Sequence, residues 1–308
     1  MISSLQLRVC VCPLLFAWIL GAQEPPATPS QAPAPQQPGL QQPPPAPPKV
    51  PDVRQPGETG WWAGVSVWLP RQQPYMQKGR DAAFTESSLI TLQGNPKYAQ
   101  SAEAGFALGL HNALRLSYFE TRATGDTTTA VDLHVWDQTY AAGTLVTTDY
   151  RLQNGKLSFD YLSWPYPVEA RRFRLKTLWQ VQWTSIRSGF DAPKLPITDE
   201  NGIPLVDASG NPITYATQGT RWFISPEIGL GVAYFAGRRI RIEANAAGFT
   251  IPRHNTVWDA DGSVNFRQGH FELRLGGRGF HFKTSTGSEF YMRGTMYSGF
   301  IGLRWYSD

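Results

Sequence analysis

From Phe173 to Ser185 the chain alternates by twos: Phe173, Leu175, Thr177, Trp179, Val181 and Trp183 fall on one side, and Arg174, Lys176, Gln180 and Gln182 on the other. Successive side chains of a β-strand point to opposite faces, so this pattern predicts a strand with one apolar and one polar surface. Its length carries further information. A strand of about 9–11 residues tilted by roughly 45° crosses a membrane, whereas a typical soluble strand has only about 5–6.

The alternation recurs along the chain. Gly60 to Leu69 forms one candidate strand, with Trp61, Trp62 and Trp68 near its ends. In Gln100 to Leu110, Ala102, Ala104, Phe106, Leu108 and Leu110 oppose Ser101, Glu103, Gly105 and Gly109. Ala113 to Ala123 sets Leu114, Leu116 and Tyr118 against Arg115 and Ser117; Lys156 to Trp164 sets Leu157, Phe159 and Tyr161 against Ser158 and Asp160. Thr220 to Tyr234 turns Trp222, Ile224, Ile228, Leu230 and Val232 one way and Glu227, Gly229 and Gly231 the other. Arg239 to Thr250 follows, with Ile240 and Ile242 against Arg241, Glu243 and Asn245. Val264 to Gly276 opposes Phe271, Leu273 and Leu275 to His270, Glu272 and Arg274. A short strand over Gly279 to Thr286 and a closing strand over Gly294 to Tyr306 bring the expected number to about ten, with eight and twelve the neighbouring even counts.

The connections differ in length. Short turns at His111-Asn112, Pro165 to Ala170 and Ala236 to Arg238 alternate with longer polar stretches over Pro70 to Ala99, Thr124 to Asp149 and Gly189 to Gly219. Transmembrane barrels of the outer membrane show this asymmetry, with the short turns facing the periplasm. The expected fold is therefore all-β, a closed antiparallel transmembrane barrel over residues 59–308.

Composition adds two segments before it. Residues 1–22 read as a secretory signal peptide: Arg8 is followed by the apolar stretch Val9 to Leu20 and by the small-residue site Leu20-Gly21-Ala22. Residues 23–58, dominated by Pro, Gln and Ala, read as a disordered, extended periplasmic spacer. Both cysteines, Cys10 and Cys12, lie in the signal segment, so strand closure instead of disulfides must hold the mature chain together. The charge of +4 is spread along alternating faces, which gives no nucleic-acid footprint.

The segment Tyr297-Ser298-Gly299-Phe300-Ile301-Gly302-Leu303-Arg304-Trp305-Tyr306 alternates and ends in aromatics. With the pattern over residues 60–308, it resembles the small bacterial outer-membrane β-barrel proteins of the OmpA/OmpX type. The resemblance implies that Phe300, Leu303, Trp305 and Tyr306 form the signal read by the barrel-assembly machinery. Here Ser307-Asp308 displaces the terminal aromatic by two residues.

Two residue groups carry the expected chemistry. Glu103, Arg115, Asp160, Arg174, Lys176, Glu227, Arg241, Glu243, Glu272 and Arg274 occupy inward positions, where acids and bases should pair into a network that fills the lumen. A selectivity ring in a small pore is the competing reading. Trp61, Trp62, Trp68, Trp164, Trp179, Trp183, Trp222 and Trp305 are expected to form interface girdles.

Enzymatic alternatives are poorly marked. His281 and Ser285 lie four apart on a candidate strand, about 13 Å, too far for a dyad. His254 precedes Asp259 and Asp261 in what reads as a polar loop. Asp199 to Gly202 and Asp207 to Gly210 have turn chemistry and lack the ligands of a calcium loop. No catalytic residue, metal or cofactor is assigned.

The expected role is structural or surface-interactive, with a small-solute pore as its variant. Outer-membrane lipid and the assembly machinery are the expected partners, and the extracellular ligand is unknown. A barrel-based enzyme, lipid hydrolase or surface protease, is the alternative, and a soluble exported β-barrel binder comes after it.

Overall fold

The computed structural model describes residues 60–78, 89–92, 94, 98–109, 111–164, 172–237, 239–250, 255–288 and 291–307. The expected signal peptide and spacer lie outside these residues, as does the Pro165 to Ala170 turn. In chain order the strands are β1 (Trp61–Lys78), β2 (Leu89–Leu92), β3 (Ala99–Ala107), β4 (Asn112–Thr128), β5 (Leu133–Val135), β6 (Gln138–Tyr140) and β7 (Leu145–Trp164). They continue as β8 (Phe173–Pro196), β9 (Thr214–Phe235), β10 (Ile240–Thr250), β11 (Thr256–Gln268), β12 (Phe271–Lys283) and β13 (Met292–Tyr306).

Ten of these close a barrel. The ladder runs β1, β3, β4, β7, β8, β9, β10, β11, β12, β13, every pairing is antiparallel, and β13 returns to β1. At the seam Trp62 stands opposite Tyr306 and Trp68 opposite Phe300. Closure leaves no free edge, so each backbone N–H and C=O along the wall finds a partner on a neighbouring strand. The short strand β2 adds to the upper end of β1, and β5 with β6 makes a separate hairpin.

Alternation fixes the two faces. Outward positions hold Val65, Leu69, Leu116, Trp179, Val181, Ile228, Leu230, Leu273, Ile301 and Leu303, each at least 40% exposed. This is an unbroken apolar band, and the polar residues are turned inward, the reverse of a soluble barrel. The strands β7, β8 and β9 have 20, 24 and 22 residues, about twice what a crossing needs, whereas β10 has 11. One side of the wall therefore rises well beyond the apolar band at the end bearing the long connections.

Three expectations change here. The segment Val264 to Gly276 is not one strand: the chain turns at Gly269-His270, where Gly269 adopts φ of 59°. Gln268 and Phe271 then face each other across the hairpin. The outward positions are even before the turn (Val264, Phe266, Gln268) and odd after it (Phe271, Leu273, Leu275), so the phase of the alternation changes at the two-residue turn and marks the break that reading the segment as one strand overlooked. The Thr124 to Asp149 and Gly189 to Gly219 stretches are partly wall strand, with connections shortened to 129–144 and 197–213. Asp259 and Asp261 belong to the wall strand β11 and not to a loop, while His254 lies outside the described residues.

Candidate functional site

The lumen has two layers. Near the short-turn end it is charged. Arg304 on β13 binds Glu103 on β3 at 2.9 Å and Glu272 on β12 at 3.3 Å, and Arg241 on β10 binds Glu272 at 2.8 Å and Glu243 at 3.5 Å. Arg274 also pairs with Glu103. The Tyr306 hydroxyl donates to Glu272 at 3.0 Å and accepts from Arg241 at 2.9 Å. Arg304 lies 4.0 Å over the ring of Trp62. On the opposite wall Arg115 meets Asp160 at 3.4 Å, and Arg174 stacks on Phe235 at 4.9 Å. Lys176 lines the same space without an ion pair within 4 Å among the described residues, in a cavity of about 100 Å³.

Higher up, Asp259 joins Lys156 at 2.5 Å to Arg278 at 2.7 Å, and Arg278 lies over Trp68 and Phe119. Glu227 on β9 stands opposite Gln180 with 1% exposure, and neither carboxylate oxygen has a hydrogen-bond partner. Above this level the interior becomes apolar: Trp68, Phe119, Leu152, Ile186, Phe190, Phe280, Phe282 and Met296 form one cluster. The β5–β6 hairpin joins it through Leu133, Val135 and Tyr140. The Tyr140 hydroxyl reaches the carbonyls of Phe190 and Tyr215 at 3.1 Å each, and Thr217 donates to Asp137. Phe190 and Thr217 are inward positions of β8 and β9, so the hairpin lies against the inside of the tall wall.

The tryptophans divide. Trp61, Trp179, Trp183 and Trp222 are exposed on the outer wall, and Trp305 packs against Trp61 in a tilted arrangement with ring centroids 4.8 Å apart. Trp179 lies within the apolar band and not at its edge, facing Phe159 and Ile228. Trp62 and Trp68 are corrected from girdle to lumen, at 9% and 2% exposure. The reason is parity: Trp62 and Trp68 alternate with the outward Trp61, Val65, Val67 and Leu69, and Gly105 opposite Trp62 makes room for the ring, since a Cβ there would come within 2.2 Å of the indole. The glycine opens a slot for a flat ring. Trp164 ends β7, and its side chain lies outside the description. Of the closing residues Phe300, Leu303, Trp305 and Tyr306, Phe300 and Tyr306 point inward while Leu303 and Trp305 face out.

Sequence reasoning left Lys156, Arg278 and Arg304 out of the lumen network and placed Asp259 and Asp261 in a loop instead of on its wall. The inward parity of Arg304 was readable from Leu303 and Trp305 on either side. Among the described histidines, His281 bonds Thr295 and stacks on Trp258, and the His270 ring lies 3.0 Å from the Tyr306 carbonyl. No group of three metal-ligating side chains occurs among the described residues. Asp199 and Asp207 each accept two backbone N–H bonds within their own turns.

No protein-family model matches the chain, and no curated protein matches it by sequence. Solved structures do. The outer membrane protease OmpT from Escherichia coli overlaps with a TM-score of 0.52 at 9% identity, covering 83% of this chain and 99% of that one. The chain has the outer-membrane β-barrel fold. Ail of Yersinia pestis (TM-score 0.35, 9% identity, 80% of this chain and 100% of that one) and OprG from Pseudomonas aeruginosa (0.33, 11%, 82% and 99%) overlap less well. At these identities the likeness is one of fold alone.

Proposed function

We propose that this barrel resides in the bacterial outer membrane as a closed, non-conducting anchor that holds its long connections at the cell surface for interaction. The observation that carries this reading is the filled lumen: ion pairs occupy the short-turn half and an apolar cluster with an inserted hairpin occupies the other. Two interior cavities measure about 100 and 40 Å³, below the roughly 300–1,000 Å³ of a small-molecule site. Open aqueous channels belong to barrels of about 16–18 strands. The exposed apolar band supports membrane residence, and the short-turn end, with the N-terminus of β1 and the C-terminus of β13, would face the periplasm.

Planar-bilayer recording tests this directly. The pure protein should insert without stepwise conductance at moderate voltage. Regular single-channel steps would replace the anchor with a pore.

A further inference from the structure

On the outer wall, β4, β7, β8 and β9 stack their outward residues in register. One row holds Tyr118, Gly155, Trp183 and Ile224; the next toward the long-loop end holds Glu120, Gln153, Ser185 and Trp222. The third places Arg122 opposite Arg151 and Arg151 opposite Arg187. Three arginines thus stand side by side two rows above Tyr118, Trp183 and Ile224. Neighbouring strands lie about 4.8 Å apart, and like charges directly opposite destabilise a sheet.

Part of this charge is answered within the wall. Glu120 receives Arg122 at 2.5 Å, Arg151 at 2.7 Å, the Tyr118 hydroxyl at 2.9 Å and Gln153 at 3.1 Å. Arg187 bonds the neutral Gln218, and Asp149 bounds the row on its loop side. One positive charge remains over, and Arg122 keeps 65% of its side chain exposed. A second feature meets the row. A groove of about 1350 Å³ on the outer wall runs along Tyr118, Glu120 and Arg122 and onto the apolar Val65, Val67, Leu273, Ile301 and Leu303.

We infer that this facet binds a phosphorylated lipid of the outer leaflet, with the arginine row on the headgroup phosphate and an acyl chain in the groove below. Guanidinium groups match phosphate oxygens through paired N–H donors, and the tyrosine and tryptophan beneath them favour the headgroup level. Glu120 then orients Arg122 and Arg151 so that their remaining donors face the lipid. The inference rests on the reading of this wall as membrane surface.

The test uses the full barrel in detergent with three probes: a diphosphorylated diglucosamine lipid, the same lipid without phosphates, and inorganic phosphate. Native mass spectrometry should show the phosphorylated lipid retained at least tenfold better than its dephosphorylated form. The Arg122→Gln/Arg151→Gln/Arg187→Gln variant should lose that preference. Equal retention of both lipids, an unchanged preference in the variant, or displacement by inorganic phosphate at matching concentration would each overturn the inference. Gel mobility with and without boiling reports closure separately: loss of the fast band in the wild type would undo the barrel reading itself, whereas an intact band without phosphate preference undoes this inference alone. Should the triple variant not close, Arg187→Gln alone serves, with a several-fold loss of preference expected and none counting against it.

Discussion

At Glu227 a carboxylate with 1% exposure has neither oxygen hydrogen-bonded, and such a group costs about 1–3 kcal/mol or more. Glu227→Gln keeps the shape and removes the charge, so it should raise barrel stability by about 1 kcal/mol or more, read as a higher urea midpoint in detergent. Arg304 is the opposite case. It bridges Glu103 and Glu272 from a side chain only 4% exposed, and Arg304→Met leaves both acids without it. A loss of about 3–5 kcal/mol is expected, because breaking a buried pair leaves the partner charge uncompensated. A midpoint unchanged by Arg304→Met would mean that the other arginines already neutralise those acids. The inward parity of Glu103, Arg241 and Glu272 was legible from their apolar neighbours at alternate positions. Which acid meets which base was not, because pairing depends on strand order and stagger around a closed wall, as the approach of Glu103 to Arg304 across 201 positions illustrates.

Among the elements, the long amphipathic strands could be read from alternation alone, while their ends and the short pieces could not. The strand β12 begins right after Gly269-His270, and the turn was legible only as a phase change, from even outward positions at Val264 and Phe266 to odd ones at Phe271 and Leu273, with Gly269 as its one turn residue. The β5–β6 hairpin has only three residues per strand and owes its place to tertiary packing. Trp136, at its turn, adopts φ of 54° and lies against Gly219, where a Cβ would fall 2.2 Å from the indole. Gly219→Ala should therefore dislodge the hairpin and expose residues 129–144 to added protease on intact cells, with the barrel itself retained. The docking also has a pH limit. Burial first, then Asp191 and Asp137, push the Tyr140 hydroxyl up to about 12. Because this value lies above the ordinary value of about 10, the contribution of Tyr140 is complete below pH 10 and disappears as pH rises toward 12. Protease sensitivity of the hairpin should rise over that window, and Tyr140→Phe should remove this pH dependence.

For the whole molecule the deciding event is the meeting of β13 with β1, which converts a strip of strands into a wall without edges. Tyr306 has two separable parts in that event. Its ring ends the closing strand, the position that the resemblance assigns to recognition by the assembly machinery. Its hydroxyl ties Glu272, Arg241 and Arg304 into one network. Tyr306→Phe keeps the ring and removes the hydroxyl. It should assemble to the wild-type level and lose about 1–2 kcal/mol of stability, since hydrogen bonds to charged groups contribute roughly 1.5–3 kcal/mol and the remaining ion pairs persist. Tyr306→Ala removes both parts, and the fast-migrating band of unboiled protein should fall several-fold in outer membranes. Refolding into detergent without any cellular machinery separates the two effects. If Tyr306→Ala refolds there as completely as Tyr306→Phe, the ring acts during assembly. If it fails equally in both settings, the ring acts in closing the wall, where it seals the short-turn end beneath Arg267 at 4.6 Å and Arg304 at 6.0 Å.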